Sequence, residues 1–172
     1  MKRLAKILSV LLLSVGIIPV TTNGRPGGGN EAFEKLKALI GHWETDKSNT
    51  NKASLDLGLT SGGTAVLEKF HMVENGKPVE MTTLYYLDGD QVKLTHYCMA
   101  GNQPTMKGSY APETKTITFD LVSISNLKSA DDGHMHHAVY TFIDNDHFKT
   151  TWTFRKEQKD AFTEDVTYVR TK

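Results

Sequence analysis

The sequence predicts an all-β fold: an antiparallel up-and-down β-barrel of about eight to ten strands with one short N-terminal helix. Three observations predict it. Turn signals recur at intervals of roughly eight to twelve residues after Gly41. Between them lie runs of alternating polarity, such as Thr64 to Val73, Met81 to Leu87, Lys115 to Ile124 and His134 to Ile143. Every link is too short for a crossover helix, so neighbouring strands run antiparallel. A meander of that size leaves two exposed edges unless it closes, and closure removes both. A two-sheet sandwich is the alternative reading of the same spacing.

Composition bounds the rest. Hydrophobic residues make up 38% of the 172 and charged residues 23%, a globular balance. Lys+Arg and Asp+Glu both number 20, so the basic footprint of a nucleic-acid binder is absent. A single Cys excludes an internal disulfide and any multi-cysteine metal cage.

Residues 1–22 read as a secretory signal peptide. Lys2, Arg3 and Lys6 form a basic start, and an apolar run follows from Ile7 to Ile18, ended by Pro19. Those 12 residues fall short of the roughly 20 that span a bilayer. Val20-Thr21-Thr22-Asn23 lacks an Ala-x-Ala pattern, and an uncleaved N-terminal anchor is the alternative. Removal takes away three basic residues, leaving 17 against 20 acidic ones and a net charge of −3. Localisation is then periplasmic or secreted, with no stable membrane insertion after cleavage. Residues 23–30 are rich in Gly and Pro and read as a linker. The barrel domain is expected over 31–172.

Within it, Asn30 is placed to cap a helix with Glu31 and Glu34 in its first turn. Phe33, Leu36 and Ile40 share a face at helical spacing, and Gly41 suits the stop. Hairpin signals then follow at Thr60 to Gly63, Glu74-Asn75-Gly76-Lys77, Asp88-Gly89-Asp90, Ala100 to Asn102, Ala111 to Thr114, Asp131 to Gly133, Asp144 to Asp146 and Lys156 to Asp160.

The residues that could carry chemistry lie on these strands. His96 and Cys98 are two apart, on the face that Val92 and Leu94 mark as the interior. They read either as a bonded core histidine with an inert thiol, or as a soft ligand pair or activated thiolate. His134 and His136 share a strand face with Ala138, Tyr140 and Phe142, a common metal-ligand spacing. Exposed histidines at a strand end are the other reading. Zinc or copper is the expected metal if His96, Cys98, His134 and His136 converge. His147 falls at the far end of its hairpin from His134. Asn102 and Gln103, in the loop after the His96 strand, could bond a ligand at the mouth or serve the turn. Trp152 sits on a face with Phe148, Thr150 and Phe154, as core or as cavity wall. Tyr85, Tyr86, Tyr97 and Tyr140 are further polar handles of unassigned direction.

Phosphate-cradling glycine loops and a Gly-x-Ser-x-Gly elbow are absent. No catalytic residue is assigned.

Gly41-His42-Trp43 follows the short helix and opens the first strand, and Arg170 lies in the last. This pattern resembles the lipocalins and the wider calycin barrels. The resemblance implies that Trp43 closes one end of the barrel with Arg170 stacked over it. The Thr-Asp-Tyr motif and the disulfide of typical lipocalins are missing. Leu94-Thr95-His96-Tyr97-Cys98-Met99-Ala100-Gly101-Asn102-Gln103-Pro104 is also similar to the hallmark of a group of secreted bacterial proteins without an assigned activity. Nitrobindin-like haem barrels share the Gly-x-Trp opening and bind haem through a late His. Nothing else of their pattern is found, and haem is not expected.

Two functions remain open on this reading. One is an exported barrel binding a small, partly apolar molecule through His96, Cys98, Asn102, Gln103 and Trp152. The other is a metal-binding protein or metal-dependent enzyme. No nucleic-acid partner is expected, and oligomeric state is unassigned.

Overall fold

The computed structural model describes residues 28–171. The signal peptide and most of the linker lie outside the described residues. Helix α1 (Gly28–Lys37) precedes ten strands: β1 (Gly41–Thr45), β2 (Ala53–Thr60), β3 (Ala65–Glu74), β4 (Lys77–Asp88), β5 (Gln91–Tyr97), β6 (Gln103–Ala111), β7 (Thr116–Ser125), β8 (His134–Phe142), β9 (His147–Lys156) and β10 (Lys159–Thr171). All neighbours are antiparallel, and β1 pairs with β10 to close the barrel. Closure leaves no edge strand to template pairing with another chain, and the two-sheet alternative falls away.

The turns follow their chemistry. Asn75 and Gly76 both take positive φ between the paired Glu74 and Lys77, as a type I′ hairpin demands. The link from β1 to β2, residues 46–52, carries no Gly or Pro and gave no turn signal. Asp46 organises it instead, its carboxylate accepting from the Ser48 amide at 2.7 Å.

The helix begins at Gly28, before the expected Asn30 cap. Gly29 is the reason: a Cβ there would lie 2.0 Å from the Asp90 carbonyl oxygen, so only glycine lets the first turn sit on the β4–β5 hairpin. Ala32, Phe33, Leu36 and Leu39 are buried beneath it. Ile40 is not; the helix ends at Lys37, and Leu39 takes the inward place.

α1 packs on β4, β5 and β6 and seals one end of the barrel. Trp43 is fully buried there, and its indole N–H donates to the Leu39 carbonyl at 2.7 Å. The Arg170 guanidinium lies 4.1 Å from the centre of the Trp43 ring. It also donates to the carbonyls of Ile40 (2.7 Å) and Ala38 (2.8 Å). These carbonyls at the helix end have no other backbone donor of their own turn, so one planar cation satisfies both. Gly41, at φ +135°, makes room: a Cβ would stand 2.8 Å from the guanidinium. The stacking expected from the Gly-x-Trp pattern is therefore present.

Candidate functional site

With one end sealed by the helix, the cavities of the interior lie, among the described residues, toward the other. The inward positions of β2, β3, β4, β5, β8, β9 and β10 line a small chamber of about 50 Å³. Above it lies a vestibule of about 770 Å³, reaching the loops 46–52 and 98–100. Phe70, Met81, Met135, Glu164 and Val166 belong to both walls, so the chamber is the floor of the vestibule.

The floor is polar, and cross-strand register makes it so. Glu68 on β3 stands opposite Thr83 on β4, which stands opposite His96 on β5. All three are buried. The Tyr85 hydroxyl donates to Glu68 Oε2 at 2.8 Å. Having given its proton away, Tyr85 accepts from the Tyr140 hydroxyl at 2.6 Å. Thr83 also bonds Glu68, and its Oγ1 lies 2.9 Å from His96 Nδ1. With Glu68 ionised, the single Thr83 proton is directed to the carboxylate, and His96 Nδ1–H is the donor in that pair. Nε2 is left as a bare acceptor. It is buried, lines the chamber and has no partner.

Burial dominates the electrostatics. It pushes the Glu68 carboxyl up to about 7, against the pull of the Tyr85, Thr83 and Tyr140 hydrogen bonds. It pushes His96 down to about 4, so the imidazole is neutral at physiological pH. Tyr85 and Tyr140 are held well above the ordinary phenol range by burial and by the Glu68 charge. Trp152 is tilted over His96 with ring centres 5.1 Å apart and forms part of the chamber wall.

Two of the five predicted ligand contacts, His96 and Trp152, therefore face the chamber. Cys98 lies higher, in the vestibule wall. Burial raises its thiol, and the imidazole two residues before it, His96, is neutral, so neither feature activates a thiolate. Asn102 is buried and lines neither space: its amide donates to the Gly133 carbonyl at 2.8 Å and ties two loops together. Gln103 reaches back to the Gly101 carbonyl and lines neither space. Both are turned by the loop that joins β5 to β6.

The four expected metal ligands do not converge. Among the described residues, no group of three or more His, Cys, Asp or Glu is placed to hold a metal ion. A β-bulge between Met135 and His137 is the physical cause. The extra residue breaks the alternation of β8, so Met135 reaches the cavity. His136 instead bonds Asp160 at 2.9 Å and His137 bonds Asp120 at 2.9 Å on the outer face. His134 bonds the Asp132 carbonyl through Nδ1. His147 lies at the sealed end against Asp144.

Glu68, Thr83 and Tyr168 carried no signal in the sequence reading. One was available: Glu68 shares the parity of Val66, Phe70 and Met72, an acid set between apolar residues on one strand face. Leu67 on the opposite face masks that parity.

No protein-family model and no curated protein matches the chain. Among solved structures, it is similar to the crystal structure of Rv2717c from M. tuberculosis, at 17% identity and a TM-score of 0.58, over 82% of this chain and 98% of that one. That likeness shows a shared barrel fold.

Proposed function

We propose that this chain is an exported, lipocalin-like barrel that binds a small, partly apolar molecule in the cavity described above. One observation carries the reading: a single cavity runs from an apolar vestibule to a buried floor where a polar atom has no partner. Barrels that pack their interior solid offer neither. An unsatisfied buried acceptor costs free energy, on the order of 1–3 kcal/mol, unless something fills it. Ligand sites of this kind join apolar walls to a few placed polar groups. Export rests on the basic and apolar opening of the chain. Among the described residues, no helix is long and apolar enough to cross a membrane.

The test is a titration with Nile red, a neutral apolar dye whose emission rises in a dry site. Saturable binding is expected, at one dye per chain. Met135→Trp fills the passage between vestibule and chamber, and should abolish binding while the fold persists. A dye signal absent from the parent, or unchanged in the variant, contradicts the reading. Cell fractionation with N-terminal mass analysis checks export: mature protein outside the cytoplasm lacks the first residues, to about position 22.

A further inference from the structure

The cavity has a charge preference as well as a shape. Its walls carry Glu68, Glu74, Glu164 and Asp165, and among the described residues no Lys or Arg. Asp165 is offset by Lys149 at 3.1 Å on the outer side. Glu68, Glu74 and Glu164 have no cationic partner among the described residues. An anionic ligand would meet only repulsion here, since low dielectric strengthens every charge in such a space.

Carboxylates alone would not identify a ligand. The second observation is His96 Nε2, on a side chain 5% exposed, facing the chamber without a partner. With Glu68 ionised, the Thr83 proton is directed to the carboxylate, and the tautomer with Nε2 as acceptor follows. The chamber thus offers two acceptors, the Glu68 carboxylate and the imidazole nitrogen. Tyr140 and Trp152 add aromatic faces beside them.

Donor-only chemistry fits this set. An ammonium group carries three N–H donors and no acceptor. The Thr150 and Tyr168 hydroxyls also line the chamber and can meet a ligand lone pair, but a neutral hydroxyl brings one donor and no charge to the carboxylate and the imidazole. A space of about 50 Å³ holds a few water-sized groups, which suits an ammonium and its first carbon. The vestibule above, walled by Phe70, Met81, Met135 and Phe154, suits a hydrocarbon or aromatic tail.

We propose that the ligand is a primary amine with an apolar tail, its ammonium group held between Glu68 and His96 Nε2. This rests on the small-ligand function proposed above and names its class. Burying an ammonium costs hydration, which the carboxylate, the second acceptor and the ring faces offset together.

Calorimetric titration of the purified chain with three compounds of one shape tests it: 2-phenylethylamine, 2-phenylethanol and 3-phenylpropanoate. The pH is set near 8, above the Glu68 value of about 7. The amine should bind at least about tenfold tighter than the alcohol, with the carboxylate weakest. Glu68→Gln should bring the amine-to-alcohol ratio to about one. The series on the unmodified chain stands by itself if that variant does not fold. Alcohol binding as tight as the amine, with Nile red still bound, overturns the amine and leaves the small-ligand function standing. An amine preference that survives Glu68→Gln in a folded variant also overturns it. Failure of all three compounds and of Nile red overturns both.

Discussion

At its helix end the barrel pairs the polar atoms around Trp43, with Thr171 Oγ1 the exception, and at its open end it keeps a polar atom bare on a cavity floor. Trp43, Arg170 and the last carbonyls of α1 satisfy one another completely: the indole N–H, the guanidinium and the carbonyls of Ala38, Leu39 and Ile40 all have partners. At the floor of the open cavity the register Glu68–Thr83–His96 assembles a similar number of polar atoms and leaves one of them bare. Both ends lie inside the same closed sheet, so the difference is not one of fold. It separates the part of the interior that holds the barrel together from the part that is kept ready for something else.

The comparison breaks most easily at Trp43. Trp43→Ala removes a fully buried ring that also packs edge-on against Phe148. The expected loss is about 3–5 kcal/mol, read from urea unfolding. A loss of less than about 1 kcal/mol would mean that the helix end is not what holds the barrel closed.

Next in size is a pH effect at the floor. Glu68 titrates at about 7 in the folded chain against an ordinary 4.5. Between those values the unfolded chain is ionised while the folded chain stays protonated, so stability falls as pH rises, by on the order of 3 kcal/mol over the window. His96 runs the other way. With a folded value of about 4 against 6.5, its contribution is complete above 6.5 and is lost as pH falls toward 4, by a similar amount. The two slopes oppose each other in the intact chain. Glu68→Gln leaves the His96 slope alone, so the variant's urea midpoint should climb between about pH 4 and pH 6.5 while the parent's stays nearly level. Matching profiles for parent and variant would contradict the buried-carboxyl assignment.

The smallest effect belongs to the rim. Phe162 is half exposed and stacks on Phe154 in the vestibule wall, ring centres 5.0 Å apart. Phe162→Ala should shift stability by only about 0.5 kcal/mol, while weakening Nile red binding. A large stability loss here would erase the contrast between the two ends.

The sealed end was largely legible in the sequence and the floor was not, for physical reasons. The Trp43–Arg170 pairing was legible through the resemblance to the calycin barrels, and Phe33 and Leu36 fall at helical spacing. The hairpins were legible because Asn75-Gly76 and its like need backbone angles few other residues accept. The floor depends on cross-strand register, which no local pattern encodes. His96 and Trp152 could be placed inward from their neighbours on one strand. That Glu68 and Thr83 lie beside His96 follows only from how β3, β4 and β5 align. The β8 bulge is a similar case. Alternation put His134 and His136 on one face, and a single extra residue turned Met135 inward instead. Asn102 reads the same in a ligand loop as in a loop brace, and only its bond to Gly133 distinguishes the two.

The most direct test of an unpartnered acceptor at the cavity floor is the protonation state of His96. Long-range ¹H–¹⁵N correlation spectra of the histidine rings, recorded across pH, separate the tautomers and follow each ring's titration. The account predicts a His96 ring that stays neutral down to about pH 4 and that, above the Glu68 value of about 7, carries its proton on Nδ1 and a lone pair on Nε2. A ring protonated on Nε2 above that value, or one that titrates at the ordinary 6.5, would contradict it.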